Sequence, residues 1–276
     1  MPSVINTNTS AQFAQDALQL NSKTMSTAMQ QLATGNRINA AKDDAAGLSI
    51  GQNMTSQVRG LNQAVRNVND GINLLQTADG ALVETSNMLQ RMRELAVQSS
   101  NATNSPSQRG YLQNEFASLQ EEITRIGDNT SWNNANVFGS SAGTNSLVFQ
   151  AGMNAGQTIT VNLSGMNATG LAVDATLASI AGFTAAQSAI GTIDAAIETV
   201  NSARSRMGAT MNQLSYSADN MTNISTNIAA SRSTIMDTDY ATASATLSKS
   251  QIIQQAATAM LAQANQQPQS VLSLIK

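Results

Sequence analysis

Two pairs of neighbouring carboxylates are the residues of this chain whose types and spacing could do chemistry. Asp43 and Asp44 follow Lys42, and Asp237 lies two residues before Asp239. Paired carboxylates can act as a general acid and base or can hold a cation. Acidic residues are also favoured at the positive N-terminal end of a helix. We expect the first pair to mark a helix start and the second a turn or helix junction, with no catalytic site, metal or cofactor.

The composition excludes most catalytic classes. The 276 residues include no histidine and no cysteine, which removes the commonest general base at neutral pH and all thiolate chemistry. The net charge of −3 gives no electrostatic case for nucleic-acid binding. Aromatic residues make up only 3 %, so the core must be built from Ala, Leu, Ile and Met, which suits thin helical bundles. We also expect no membrane insertion and no cleaved signal peptide.

Two long heptad stripes predict the main helices that would position these residues. The first runs from Met54 to Leu75 in alternating steps of four and three residues, and continues less strictly to Ala96. The second runs from Ile190 to Ile235. This spacing is typical of a coiled-coil seam. Three polar residues interrupt the second stripe, namely Arg204, Ser225 and Arg232.

A shorter helix and a β-hairpin are predicted between the two long helices. Ser105 followed by Pro106 is a standard helix start, and we expect the helix to end at Gly127. Beyond it the apolar period changes to two, which predicts strands. The alternating residues are Leu147 and Phe149 in one strand and Ile159, Val161 and Leu163 in the other.

Each end of the chain carries an amphipathic helix with very few charges. Because the outer face of a helix in water normally carries charge, these terminal arms are predicted to be covered by other protein. They are also expected to lie side by side. The apolar positions assigned to assembly are Leu18, Met25 and Leu32 in the N-terminal arm, and Ile253, Met260, Leu261, Val271, Leu272, Leu274 and Ile275 in the C-terminal arm.

These patterns predict a mainly α fold, a long antiparallel coiled-coil helical hairpin or bundle with a small β-hairpin region in the middle of the chain. We divide the chain into an N-terminal helical arm (1–42), the N-terminal part of a core domain with two helices (43–136), a β-hairpin or short central region (137–184), the long C-terminal helix of the core domain (185–238) and a C-terminal helical arm (239–276).

Six separated segments, in this order, resemble bacterial flagellin, the subunit of the flagellar filament. They are LATGNRINAAKDDAAGLSIG (32–51), NDGINLLQTADGALVE (69–84), LQRMRELAVQSSN (89–101), SARSRM (202–207), DTDYA (237–241) and LAQANQQPQSVLSLIK (261–276). Only about 45 residues, 138–182, separate the two matching halves. The resemblance therefore implies a minimal flagellin with little or no outer domain.

The resemblance implies a structural protein that polymerises with itself outside the bacterial cell and drives swimming. The terminal arms would form an inner coiled-coil tube and the long helices an outer one. Expected partners are other copies of the chain, the flagellar export chaperone and export apparatus, and the filament cap and hook-junction proteins. Export would proceed without a cleaved signal peptide.

The resemblance also points to a surface used in innate immunity. In flagellins the motif matched by Arg91, Leu95 and Glu115 is recognised by the flagellin-sensing Toll-like receptor of animals. The same residues are contacts between subunits in related filaments. We therefore expect host recognition and assembly to use one surface here.

Two alternatives remain open at this point. The hook–filament junction protein shares both terminal patterns, although the C-terminal segment favours flagellin. A cell-surface, flagellin-like glycan-binding protein would need an exposed aromatic platform. Its candidates are Trp132, Phe138, Phe149 and Phe183, each of which could equally serve in core packing. An enzyme is not expected, given the missing histidine and cysteine.

Overall fold

The computed structural model describes residues 7–138, 145–163, 165–176 and 178–273, except for the side chains of residues 145 and 267–273. Within these ranges the chain is mainly helical, as predicted. In chain order its elements are α1 (Thr9–Thr34), α2 (Ala45–Ser99), α3 (Pro106–Asn129), β1 (Ser131–Trp132), β2 (Ala135–Asn136), β3 (Asn145–Gln150), β4 (Thr158–Leu163), α4 (Phe183–Met236) and α5 (Tyr240–Ser273).

The chain folds as two compact units. The terminal unit comprises the residues up to Val58 together with those from Thr226 onward. The central unit is Arg59–Ser225. Helices α2 and α4 each contribute to both. The terminal unit contains α1 and α5, which contact each other, so the prediction that the two arms lie side by side is confirmed.

In the central unit α2 and α4 run antiparallel, and polar residues on the seams link them. Arg204 donates to Asp79 across the helix pair at 2.8 Å, and the Ser225 hydroxyl donates to the side-chain oxygen of Asn62 at 3.0 Å. Two of the residues that interrupt the heptad stripe of α4 thus form cross-helix hydrogen bonds. In the terminal unit the third, Arg232, reaches the Thr55 hydroxyl at 3.5 Å.

The core of the central unit follows the predicted stripes only at every second position, with alanine or glycine buried between the larger side chains. Val65 and Ile72 of α2 and Ile190 and Ile197 of α4 belong to the predicted stripes but are half-buried, whereas the adjacent Ala64, Gly71, Ala189 and Ala196 are buried. Small side chains let the long helices approach closely, which suits a chain with so few aromatic residues. The buried positions include Leu61, Val68, Leu75, Leu82, Leu89 and Met92 in α2, Phe116 and Ile123 in α3, and Ala189, Ile193, Ala196, Val200, Ala203 and Met207 in α4.

The predicted β-hairpin is confirmed. Strands β3 and β4 pair antiparallel, with Phe149 opposite Ile159. The hairpin packs closely against α2 at two glycines. This close contact explains why glycines occur within a long helix. A Cβ on Gly71 would lie 2.9 Å from the Phe149 ring, and one on Gly60 would lie 3.2 Å from Met153.

Alanine substitutions at two glycines of α2 are expected to have opposite effects. Gly80 has no atom within 4 Å of where its Cβ would be, so Gly80→Ala should raise the free energy of unfolding by about 1 kcal/mol through helix propensity. Gly71→Ala should lower it, because the new methyl group displaces the Phe149 ring. Urea denaturation of both variants checks this pair. Equal stabilisation by the two would contradict the packing of the hairpin on Gly71.

The expected end of α3 at Gly127 is wrong. The helix continues to Asn129, and Thr130 forms its C-cap. Gly127 instead lies where another segment approaches, since a Cβ there would be 2.8 Å from the Cα of Asn167. A glycine near the end of an apolar stripe resembles a stop signal, but here its lack of a side chain admits a neighbouring backbone.

Candidate assembly surfaces

The boundaries of the arm helices follow from their capping residues. The Asn8 side chain accepts a hydrogen bond from the Ala11 amide at the start of α1, and Gly35 ends this helix in the left-handed conformation at φ 73°. Gly35 is therefore the C-cap of α1. At the other end of the chain, Asp239 accepts hydrogen bonds from the amides of Ala241 and Thr242 and so caps the start of α5.

Both carboxylate pairs form hydrogen bonds at helix ends and in the adjoining loops. Asp44 accepts from the Gly47 amide at 2.8 Å and caps α2, while Asp43 accepts from the amides of Asn39 and Ala40 in the preceding loop. The helix start expected at this pair is confirmed. Among the described residues no group of three or more acidic side chains could hold a metal ion. Asp237 accepts from the Ser233 hydroxyl, within the junction of α4 and α5.

The cap at Asp239 is expected to make the start of α5 sensitive to acid. Hydrogen bonds from the hydroxyl of Thr242, then from the amides of Thr242 and Ala241, lower the pKa of Asp239. A carboxyl group whose pKa is lower in the folded state stabilises that state above its unfolded pKa of about 4, and this contribution fades as the pH falls below that value. Amide hydrogen exchange at Ala241 and Thr242, followed from pH 6 to pH 3, measures it.

Asp239→Asn is the matched control for this acid effect. Asparagine also caps helices but does not titrate. Protection of the two amides should therefore differ between the parent chain and the variant near neutral pH, and the difference should shrink below pH about 4. A difference that stayed constant over the whole range would contradict the role of the ionised carboxylate.

Hydrogen bonds from two asparagines establish the antiparallel alignment of α1 and α5. Asn8 Nδ2 donates to the carbonyl oxygen of Ala264 at 2.9 Å, and Asn21 Nδ2 donates to that of Ser250 at 2.8 Å. At the opposite end of the pair, the Thr238 amide donates to the Gly35 carbonyl at 2.9 Å. The two arms are therefore aligned over almost the whole length of α1.

The seam between the arms is built mainly from small and polar residues. Buried and half-buried side chains recur at alternating steps of three and four along both helices, as in a coiled coil. They are Ala11, Ala14, Leu18, Asn21, Met25, Ala28 and Leu32 in α1, and Ala243, Leu247, Ser250, Gln254, Ala257, Leu261 and Ala264 in α5.

Several large apolar side chains of the arms point away from the seam. Phe13 is 80 % exposed and Met260 is 67 % exposed. We call this set the outward apolar residues. They are Phe13, Leu20 and Met29 in α1, and Ile252, Ile253 and Met260 in α5. The arm pair thus fully buries only small and polar residues and leaves six large apolar ones exposed, the reverse of a helix pair that is stable by itself in water.

The structure divides the predicted assembly residues into two groups. The half-buried ones lie on the seam, and the exposed ones belong to the outward apolar residues. The first group is Leu18, Met25, Leu32 and Leu261, and the second is Ile253 and Met260. The side chains of Val271 and Leu272, and both Leu274 and Ile275, lie outside the described residues.

The second candidate surface lies on α2 and α3. Arg91 donates to Glu115 at 2.9 Å and to Glu94 at 2.8 Å. These hydrogen bonds, with Glu94 first, raise the pKa of Arg91. All three side chains are about half exposed, so each ion pair contributes little to stability and remains accessible to a partner.

Leu95, assigned to the same surface from the sequence, lies in the core at 1 % exposed. The structure therefore brings Arg91 and Glu115 together and places Leu95 beneath them. An open cleft of about 510 Å³ adjoins this surface, lined by Gln90, Arg93, Glu94, Val97 and Gln98. Arg93 on its rim pairs with Asp194 of α4 at 2.6 Å.

The fold is that of a mainly helical protein built from long paired helices, which presents two candidate assembly surfaces. No described helix combines the length and apolar character that a membrane crossing requires. The chain belongs to the bacterial flagellin family. Its residues 5–143 match the bacterial flagellin N-terminal helical region and its residues 190–275 match the C-terminal helical region.

Relatives of similar length support a minimal form of the family. A flagellin of Halalkalibacterium halodurans is 44 % identical over 273 residues, which cover 99 % of this chain and 100 % of the relative. The flagellar filament 33 kDa core protein of Treponema phagedenis is 40 % identical, with coverage of 99 % and 100 %. Flagellin A of Vibrio cholerae is 34 % identical over an alignment of 380 positions, more than the 276 residues of this chain, with coverage of 99 % of both proteins.

Solved structures show the same fold. The crystal structure of Bacillus cereus flagellin is similar with a TM-score of 0.50 and 31 % identity, covering 60 % of this chain and 94 % of that one. A protein named as a putative flagellar hook-associated protein, from Vibrio parahaemolyticus, has a TM-score of 0.58 at 14 % identity, with coverage of 70 % and 99 %. The latter similarity concerns the fold alone.

Proposed function

We propose that this chain polymerises into the flagellar filament that drives bacterial swimming, with its paired arms forming an inner tube. The observation that carries the proposal is the arrangement of the arms. Their seam buries mainly small and polar residues, while the outward apolar residues stay 40–80 % exposed within the described part of the chain. A surface of this kind is typical of a polymerisation interface.

The energetics favour a second copy of the chain as the cover. Full burial of one large apolar side chain contributes about 1.5–3 kcal/mol, and each arm pair offers six of them. Ordering each arm residue costs about 1–2 kcal/mol in conformational entropy. An isolated arm pair therefore gains little by folding, whereas contacts with several neighbouring copies shift the balance towards the ordered state.

Other partners follow from family membership as parts of this proposal. An export chaperone would cover the C-terminal arm before secretion, because the exposed apolar residues of α5 would otherwise promote premature association. The export apparatus would pass the chain to the outside of the cell without a cleaved signal peptide. The filament cap and hook-junction proteins would meet it at the two ends of the polymer.

Polymerisation of the purified chain tests the proposal. Dissociated subunits, supplied with short filament fragments as seeds, should elongate into filaments visible by electron microscopy. Filaments containing thousands of copies support a filament subunit, whereas about a dozen copies at the base of another filament would identify a hook–filament junction protein. A chain that stays monomeric at every concentration with seeds present would contradict the proposal.

The arrangement of aromatic side chains does not favour the glycan-binding alternative. Phe138 is buried, and Trp132 and Phe149 are half-buried. The Phe149 ring packs against Gly71 in the central unit. Phe183 is exposed at the first position of α4. Of these four described residues only Phe183 is therefore exposed, and one exposed ring does not make the flat, open platform that a saccharide would need.

We also propose that the flagellin-sensing Toll-like receptor of animals recognises the surface around Arg91 and Glu115. The accessible guanidinium and its two carboxylate partners support this proposal. Leu95 would contribute by holding α2 in place from the core. Recognition would require free subunits, because subunit contacts in the filament would cover the same residues.

Arg91→Ala is expected to weaken the receptor response of reporter cells to the purified monomer by about 10-fold, the loss typical for one charged residue at an interface. Arg125→Ala is the matched control, since Arg125 also pairs with a glutamate, Glu122, on an exposed helix surface. Equal responses to the parent and both variants would contradict the proposed site. Silence of the parent monomer would contradict recognition altogether.

A further inference from the structure

A buried asparagine interrupts the seam between α1 and α5. Asn21 is only 8 % exposed, and its Nδ2 donates to the carbonyl oxygen of Ser250 at 2.8 Å. Ser250 is itself 4 % exposed. Both residues occupy positions in line with the apolar residues of the seam. Packing does not explain a polar side chain at this position, because an apolar residue of similar size would be buried at a lower cost in desolvation.

The packing side chains of the seam specify the alignment of the two helices poorly by themselves, so the alignment depends on the hydrogen bonds of Asn8 and Thr238 at the two ends and of Asn21 near the middle. Alanines recur at heptad-related positions, among them Ala14 and Ala28 in α1 and Ala243, Ala257 and Ala264 in α5. A shift of seven residues, about 10 Å along the helix axis, therefore brings similar surfaces together again. A single buried asparagine on a coiled-coil seam is a well-attested means of fixing register, at a cost in stability.

The register decides which outward apolar residues lie level with each other. With the Asn21–Ser250 contact as the reference point of the antiparallel pair, Leu20 lies within one residue of the level of Ile252. Phe13 likewise lies within two residues of the level of Met260. A shift by one heptad would separate both pairs along the axis. In the native register, apolar residues of both helices therefore form one outer surface of the arm pair.

We propose that Asn21 is a specificity-determining residue of self-assembly. By fixing the register of α1 against α5, its side-chain amide aligns the outward apolar residues of both arms into one surface that a second copy of this chain recognises. This inference rests on the proposed function. It adds that the asparagine serves the alignment of the arm pair and not its stability.

Introduced disulfides report the register directly, since the chain has no cysteine of its own. Ala14→Cys combined with Ala257→Cys reports the native register, because the two positions are level with each other. Ala14→Cys combined with Ala264→Cys reports a shift of one heptad. Both chains are assembled into seeded filaments and oxidised, and the fraction of disulfide within each chain is then measured.

With Asn21 present, the native pair should oxidise and the shifted pair should not. Asn21→Leu should reduce the native disulfide about two-fold and make the shifted one detectable, because only the hydrogen bonds of Asn8 and Thr238 at the two ends of the pair then favour the native register. Gln19→Leu, an equivalent change at an exposed position of α1, should keep the parent pattern. If Asn21→Leu chains do not elongate alone, they are copolymerised with an excess of the unchanged chain.

Two outcomes would overturn the inference while leaving the proposed function intact. One is an unchanged native disulfide in the Asn21→Leu filaments with no shifted product. The other is equal oxidation of both pairs when Asn21 is present. Failure of the unchanged, cysteine-free chain to polymerise would instead overturn the proposed function, and the inference with it.

Discussion

Deletion of residues 251–276 should abolish polymerisation while leaving a folded, soluble core. The deletion removes most of α5, including the exposed Ile252, Ile253 and Met260, and the Asn8–Ala264 hydrogen bond at the far end of the arm pair. It leaves the sequence of the central unit, Arg59–Ser225, untouched. Because that unit has its own buried core, its cooperative thermal unfolding should persist.

Seeded elongation and thermal unfolding by circular dichroism check this deletion together. The truncated chain should add no length to parent filament fragments at concentrations about 100-fold above those sufficient for the parent, since it lacks the interface of the arms. Its unfolding midpoint should stay close to that of the parent core. Long filaments from the truncated chain would contradict the role of the C-terminal arm.

Leu261→Asp should damage assembly nearly as much with a single substitution. Leu261 is half-buried on the seam of α5 that faces α1. A carboxylate at that position lies in an apolar setting without a basic partner on the seam, which costs several kcal/mol unless the group becomes protonated. The arm pair should then fail to order, and elongation should fall by about 100-fold or more, because each 1.4 kcal/mol changes an equilibrium tenfold.

Gln263→Asp is the control for Leu261→Asp, since it adds the same charge at an exposed position two residues further along the same helix. It should reduce elongation far less. Lowering the pH towards 4 should partly restore assembly of the Leu261→Asp chain, as protonation removes the buried charge. Equal loss of elongation in the two variants would show that added charge, and not the seam position, is responsible.

Heptad spacing predicted the long helices because it is a local, repeated signal. The stripe from Met54 to Leu75 lies within α2, and the positions from Ile190 to Ile235 lie within α4. The capping residues Gly35 and Ser105 were equally visible, since caps depend on side chains next to the helix end. These features need no knowledge of which segments meet in space.

The division of the arm residues into seam and exterior could not be read from the sequence. Ile253 and Met260 fit a helical stripe as well as Leu261 does, and the spacing does not show which of them faces the other arm. In the structure the smaller Ala257 and Ser250 take the seam. Apolar spacing shows that a face of a helix will be covered. It does not show which partner covers it when two faces of the same helix both pack against protein.

Contacts between distant segments were the other feature that could not be predicted from the sequence. The burial of Leu95 depends on the packing of the central unit, and a match to a surface motif gave no sign of it. Gly71 and Gly127 were visible as glycines in helices, yet only the positions of Phe149 and Asn167 show what they admit. The polar interruptions of the α4 stripe offered a usable signal, because a seam residue such as Arg204 must find a partner across the seam.

The central claim is that the arms of this chain become ordered by packing against neighbouring copies through their outward apolar residues. Cryo-electron microscopy of filaments grown from the purified chain tests it most directly. The predicted result is an inner tube of α1–α5 pairs in which Phe13, Leu20, Ile252 and Met260 are buried at contacts between copies. Filaments in which these side chains face solvent, or in which the arms take no part in subunit contacts, would contradict it.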